Sequence, residues 1–162
     1  MTLSFSIRPA VVSDIAVLNP LFEDLDEHHR VALPEIFRRP TAARRKPAWL
    51  DSVIAGPDHA ILVAEGADAK IIGLIVLIAR SVSAIAVRDA RQFVEITDLV
   101  VSSGTRRIGV GRALIEASKT WTRERGIGNL EVSAWSFNVE TIEFYRKVGF
   151  QRTIERFAMR SI

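Results

Sequence analysis

The chain is predicted to fold as a single mixed α/β domain, and three observations predict it. Its 162 residues suit one compact domain rather than two. With 48% hydrophobic and 25% charged residues it can bury a real core while keeping a wet surface. Runs with β-type alternation or continuous apolar character interleave with stripes at helical spacing, giving the predicted order βα(α)βββαβαβ.

Leu3 to Arg8 alternates Leu3, Phe5 and Ile7 with polar neighbours and ends at Pro9, which predicts a first strand. Ser13 can cap a helix whose apolar stripe is Ile15, Leu18, Phe22 and Leu25, with Pro20 expected to kink or restart it. Residues 31–45 carry Pro34 and Pro40 and read as irregular or as short helical turns. A second helix is expected from Pro47 to the Gly56-Pro57 stop. Ala60 to Ala64, a turn at Gly66-Ala67-Asp68 and Ile71 to Ala79 predict a hairpin. Its second strand is apolar on both faces and therefore central. Phe93 to Val101 is a further strand, and Gly111 to Arg125 a helix with the stripe Val110, Leu114, Ala117 and Trp121, closed by Gly126. Leu130 to Trp135 reads as a strand, Asn138 to Val148 as a helix stopped by Gly149, and Phe150 to Met159 as a last strand.

Composition excludes several functions. The chain has no cysteine, so disulfides, thiolate metal sites and a Cys-acyl intermediate are ruled out, and a cytoplasmic location is expected. His28, His29 and His59 lack the spacing of a metal site, so no metal is expected. The longest apolar stretch, Ile71 to Ala79 read through Gly73, is far short of the ~20 residues that span a bilayer. The first ten residues lack a basic region followed by an apolar one, so export is not expected.

The net charge of +3 conceals a pattern. Residues 1–34 carry −3 with Glu23, Asp24, Asp26 and Glu27 bunched together, whereas residues 35–50 and 101–129 each carry +4. Two basic zones and one acidic helix point to an anionic ligand in one place and a cationic one in another, unless they are solvated surface.

The most informative stretch runs from Leu99 through Ser102-Ser-Gly-Thr-Arg106-Arg-Ile-Gly109-Val-Gly111-Arg112 into a helix. A strand ends, a loop rich in Gly and Arg turns, and a helix N-terminus presents unpaired N–H groups to an anion. A Walker loop would need Gly-Lys-Ser/Thr where Gly111-Arg112-Ala113 stands, and a dinucleotide fingerprint would need a third Gly near Leu114. Neither nucleotide motif is met. Two glycines that merely let the helix pack closely on the sheet are the simpler alternative.

Arg106-Arg-Ile-Gly109-Val-Gly111 resembles the Q/R-x-x-G-x-G/A signature of the GNAT superfamily of acyl-CoA-dependent N-acyltransferases, and it follows a strand ending Asp98-Leu-Val-Val101 as in that family. Asn138-Val-Glu-Thr-Ile-Glu-Phe-Tyr145-Arg-Lys-Val-Gly149-Phe150 is similar to its N-x-x-A-x-x-F-Y-x-x-x-G-F block. The resemblance covers residues 93–150, about a third of the chain, and departs at Arg107, where the family often has Gly, and at Thr141, where it often has Ala. It implies a central, mixed, mostly antiparallel sheet flanked by helices and splayed at the CoA site. It also implies acetyl-CoA as co-substrate, with the amides of Arg107, Ile108, Gly109, Val110, Gly111 and Arg112 on the pyrophosphate and charge from Arg106 and Arg112. Pantetheine would lie along Leu99, Val100 and Val101 and reach Asn138, which is otherwise a plain N-cap.

Attack of a neutral amine on a thioester needs a base, oxyanion donors and an acid for the thiolate. Tyr145, the single tyrosine, stands where the resemblance implies the acid, and its ring suits a core position equally well. Glu95 occupies the position of the base in the histone-acetylating branch, and Asp98 resembles the acid that polyamine-acetylating members place near the amine. Either carboxylate could instead serve an arginine, and a water chain could be the base. Strict alternation puts Glu95 on a face with Thr97 and Leu99 and Asp98 on the other, unless a bulge intervenes.

The resemblance also lays the first helices and the 85–92 loop over the acceptor, so Glu23, Asp24 and Glu27 are expected to favour a cationic amine such as a polyamine, an aminoglycoside or a basic peptide end. The resulting expectation is direct transfer in a ternary complex to a small-molecule or peptide amine, with no nucleic acid or membrane partner and a homodimer as a permitted assembly. Two other readings stay open: a GNAT-fold sensor that binds acyl-CoA without turnover, and an RNA-binding module, the latter opposed by the lack of interleaved basic and aromatic residues.

Overall fold

A computed structural model describes residues 4–39 and 46–159 of the chain. Five strands form one open sheet in the order β1-β2-β3-β4-β5: β1 Phe5–Pro9, β2 His59–Gly66, β3 Ile71–Val82, β4 Arg91–Val101 and β5 Leu130–Val132. The first four are antiparallel neighbours, and β5 runs parallel to β4. The β2–β3 hairpin closes through Ala69 at φ 59°, whose N–H donates to the Gly66 carbonyl at 2.9 Å. As its two-sided apolar run predicts, β3 is the middle strand, with Leu74, Ile75, Val76 and Leu77 fully buried.

Four helices cover the sheet: α1 Ile15–Ala32, α2 Pro47–Ala55, α3 Val110–Glu124 and α4 Val139–Lys147. Leu18, Phe22, Leu50 and Val53 of α1 and α2 pack on Val63, Leu74, Val76 and Val100. Val110, Leu114 and Ile115 of α3, with Tyr145 of α4 and Val148 just beyond it, pack on Leu62, Ile75, Leu77, Val94 and Ile96 across the other face. Alternation along β2 and β3 thus feeds two separate cores. Arg8 ties β1 to the start of the first helical segment by pairing with both Asp14 and Glu65. The Asp14 carboxylate also accepts the Val11 N–H at 2.8 Å, and these bonds hold it below the ordinary carboxylate range, Arg8 being the larger cause.

Several elements differ from expectation. Ser13 does not cap α1: it lies in a single 3₁₀ turn, Val12–Asp14, that leads into the helix. Pro20 does not restart α1, which runs through it, because Leu18, Leu21 and Phe22 around it are buried and tertiary packing outweighs the lost hydrogen bond. Residues 34–36 form a turn within an otherwise irregular 33–39, while residues 40–45 of the expected irregular region lie outside the described residues. β5 stops at Val132 rather than Trp135. The expected last strand over Phe150 to Met159 is absent. From Gln151 the described chain is exposed and without regular structure, Ile154, Phe157 and Met159 among its most exposed side chains, so β propensity there meets no neighbouring strand to pair with.

Gly73 shows how closely α3 sits on the sheet. A Cβ there would lie 3.0 Å from the Val100 carbonyl and 3.1 Å from Cγ1 of Val110, the first residue of α3. Gly73→Val should therefore destabilise the fold by about 1–3 kcal/mol through overpacking. A urea midpoint lowered at unchanged slope would confirm this, and an unchanged midpoint would show that the helix can move off the sheet without cost.

Candidate active site

The site begins with a defect in β4. Val76 pairs with Asp98 but Leu77 pairs with Ile96, so Thr97 is an extra, bulged residue. The bulge reverses the alternation. Val94 and Ile96 before it and Leu99 and Val101 after it all face α3 and α4, while Val100 faces α1 and α2. Glu95, opposite Ile78, and Asp98, opposite Val76, therefore come to the same face of the sheet, the one that carries α1.

The bulge also marks where the sheet opens. Parallel pairing between β4 and β5 covers Val94–Ile96 against Leu130–Val132 and goes no further. Past it, Asp98 to Val101 keep β3 on one side and, among the described residues, have no strand on the other, so the backbone of Leu99, Val100 and Val101 is an edge inside the sheet.

At the end of this split lies the Gly/Arg loop. A 3₁₀ turn over Ser103–Thr105 is fixed by the Thr105 hydroxyl, within 3.3 Å of the Ile72 carbonyl, and Arg106 Nε donates to the Val101 carbonyl at 3.2 Å. Arg107 and Gly109 both take left-handed backbone, φ 67° and 97°. Gly109 is the N-cap of α3 and has no side-chain cap, so the first-turn amides of Val110, Gly111 and Arg112 point out of the helix end. A Cβ on Gly111 would stand 3.2 Å from the Phe144 ring, which packs α3 against α4. Arg106, Arg107 and Arg112 are exposed around the turn, as is Ile108. Uncapped amides, exposed guanidiniums and two left-handed residues make a cradle for a phosphate-like anion.

At the other end, Tyr145 projects from α4 and is 8% exposed, in ring contact with Phe144 and Phe150. Burial, and then the negative charge of Asp98, hold its hydroxyl well above the ordinary phenol value, so it stays protonated through neutral and mildly alkaline pH. Asp98 accepts the Thr97 hydroxyl at 2.9 Å. Glu95 is held by Arg80, Nε to Oε2 2.9 Å. Asn138 caps α4, its Oδ1 accepting the Thr141 N–H at 3.3 Å. The family resemblance names the carboxylates and the tyrosine as candidates but misses Arg80, which no local spacing connects to Glu95.

The acids of α1 are placed differently from expectation. Glu23 and Glu27 are both ion-paired to Arg30, itself buried, and Arg39 reaches Glu27 at 3.2 Å. Asp24 remains exposed. Among the described residues no group of acids, histidines and cysteines could hold a metal, and no helix is long and apolar enough to cross a membrane.

Residues 22–150 match the family described as Acetyltransferase (GNAT) family. The chain belongs to the GNAT acetyltransferase family. It is 32% identical over 93 residues to the streptothricin acetyltransferase of Streptomyces lavendulae, covering 57% of this chain and 45% of that protein, so the match spans less than half the relative's length. Among solved structures, a tetramutant of the BH1408 protein from Bacillus halodurans superposes with TM-score 0.90 at 23% identity, covering 96% of this chain and 99% of that one. The aminoglycoside 6'-N-acetyltransferase AAC(6')-Ih from Acinetobacter baumannii superposes with TM-score 0.73 at 15% identity over 98% and 99% of the two chains. At these identities the solved structures establish the fold.

Two expectations arise for this GNAT chain. Because Tyr145 is its one tyrosine, absorbance at 295 nm reads that hydroxyl alone. At a pH of about 10, where a free phenol is half ionised, the folded protein should show almost no phenolate and Tyr145→Phe none; half-ionisation at that pH would place the ring in water. Gly111→Asp sets a carboxylate at the anion cradle and a side chain against Phe144. It should abolish any rise in melting temperature that acetyl-CoA gives the parent protein, and an equal rise in both would dismiss the cradle.

Proposed function

We propose that this chain transfers an acetyl group from acetyl-CoA to a primary amine by direct attack within a ternary complex. The observation that carries the reading is the split between β4 and β5, bounded at one end by the uncapped N-terminus of α3 and at the other by Tyr145 and Asp98. The residues present fit the co-substrate. The amides of residues 107–112 with Arg106 and Arg112 would hold its pyrophosphate, the open backbone of Leu99 to Val101 its pantetheine arm, and the side-chain amide of Asn138 an arm carbonyl. Bound there, acetyl-CoA supplies the activated acyl carbon.

The chain's own groups divide the remaining work. Tyr145, kept protonated by burial and by Asp98, donates its proton to the departing thiolate. Asp98, on the face that carries α1, receives the ammonium. A carboxylate there strengthens binding but raises the amine's pKa and so opposes the deprotonation that attack requires. Glu95, three residues away on the same face, or a water that it orders, takes that proton, and Arg80 fixes where the carboxylate stands. Of the α1 acids Glu23, Asp24 and Glu27, the first and last are engaged by Arg30, so Asp24 is the member of that trio left to add an exposed negative charge.

Steady-state assays of thiol release over a panel of amines test the reading. Tyr145→Phe should lower kcat by ~10²–10⁴ with acetyl-CoA affinity kept, and Asp98→Asn should raise KM for the amine by about tenfold or more. Acetyl-CoA binding without turnover of any amine would leave a sensor instead of an enzyme. Turnover of Tyr145→Phe within a few-fold of the parent would reduce the tyrosine to packing.

A further inference from the structure

Five rings belong to neither core. His28 and His29 lie near the end of α1, Phe37 follows it, and Trp135 and Phe137 lie between β5 and α4. They form one continuous cluster: His28 to Phe137 5.6 Å, His29 to Phe137 5.8 Å, His29 to Phe37 5.1 Å and Phe37 to Trp135 5.4 Å between centroids. The His29–Phe137 and Phe37–Trp135 contacts are edge-to-face, at 83° and 79°, an arrangement that engages the edge of one ring and leaves its faces for other partners. Trp135 is 43% exposed.

The cluster joins the two lips of the split. On one lip, α1 packs over β3 and β4, on the face that holds Glu95 and Asp98. On the other, the chain leaves β5 at Val132 and reaches Trp135 three residues later, where the Trp135 carbonyl accepts the Asn138 N–H at 3.0 Å and fixes the turn into α4. His28 lies within the electrostatic reach of both Arg106 in the anion loop and Glu140 at the start of α4, so this end of α1 approaches both. The carboxylates that would otherwise hold a polycation on this side, Glu23 and Glu27, are already neutralised by Arg30 and Arg39. What α1 and the 135–137 turn offer an incoming molecule is therefore ring surface and the exposed carboxylate of Asp24, with the carboxylate of Asp98 on the strand.

We propose that these rings are the wall of the acceptor site and that the acceptor is a monoamine carried on an aromatic or other apolar body, its ammonium directed to Asp98 and its body set against Phe37, Trp135 and Phe137. The proposal rests on the acyltransferase reading and narrows it, since a polyamine or a polyhydroxylated aminoglycoside would find few carboxylates to meet its several charges.

The test uses the full chain with CoA bound and compares 2-phenylethylamine, methylamine and spermidine, by calorimetry for binding and by thiol release from acetyl-CoA for turnover. The expected result is saturable binding of 2-phenylethylamine and a kcat/KM for it at least about tenfold above that for either methylamine or spermidine. Trp135→Ala on one lip and Phe37→Leu on the other should each weaken 2-phenylethylamine binding about two- to tenfold with acetyl-CoA affinity kept. Preference for methylamine or spermidine, no saturable binding of 2-phenylethylamine, or variants that weaken acetyl-CoA instead would overturn the wall. Binding of 2-phenylethylamine that the two variants impair, without turnover of any amine, would uphold the wall and overturn the acyltransferase reading.

Discussion

The site depends on one extra residue in one strand. Without Thr97 as a bulge, β4 would alternate strictly, Asp98 would face α3 and α4, and Glu95 would stand alone on the α1 side. A bulge increases local twist and ends regular pairing, and here pairing with β5 stops at Ile96, one residue before it. The same defect therefore opens the sheet, frees the backbone of Leu99 to Val101 and gathers two carboxylates on one face. A bulge of this kind costs ladder hydrogen bonds, and the neighbouring β3, buried on both faces, supplies the rigidity that tolerates it.

Many charges on this protein are paired internally. Arg30 is buried among the acids of α1, Arg80 holds Glu95, and Arg8 holds Asp14 and Glu65. The arginines at the start of α3 are the contrast. Arg106 and Arg112 are exposed with no ion pair to an acid among the described residues, and Arg107 meets only the exposed Glu140 at 3.4 Å. A surface pair of that kind is weak in water and yields readily to a multiply charged anion. The basic zones thus contrast: Arg39 of the first serves an ion pair with Glu27, while Arg106 and Arg112 of the second face outward.

Much of this was legible in order along the chain. Residue spacing placed the hairpin, the central strand, α3 with its glycine-rich start, and α4 with its Asn138 cap, because each is a local pattern of apolar period and turn residues. The loop before α3 was legible for the same reason: Gly109 and Gly111 and three arginines lie within residues 106–112. The last strand was misread because Phe150 to Met159 has strand-like composition, yet a strand exists only if an edge receives it, and none does among the described residues.

The sequence by itself determined the fold class and the family and named candidates for the chemistry, since these rest on residue types at short separations. Only the tertiary structure decided which of those groups meet. The Thr97 bulge, the pairing of Arg80 with Glu95, the capture of Glu23 and Glu27 by Arg30, and the joining of His28, Phe37 and Trp135 into one wall turn on side-chain and backbone geometry that no local pattern specifies. The physical reason is that a strand's face is reversed by a single inserted residue, and a charge is neutralised by whichever partner the packing brings within about 3 Å.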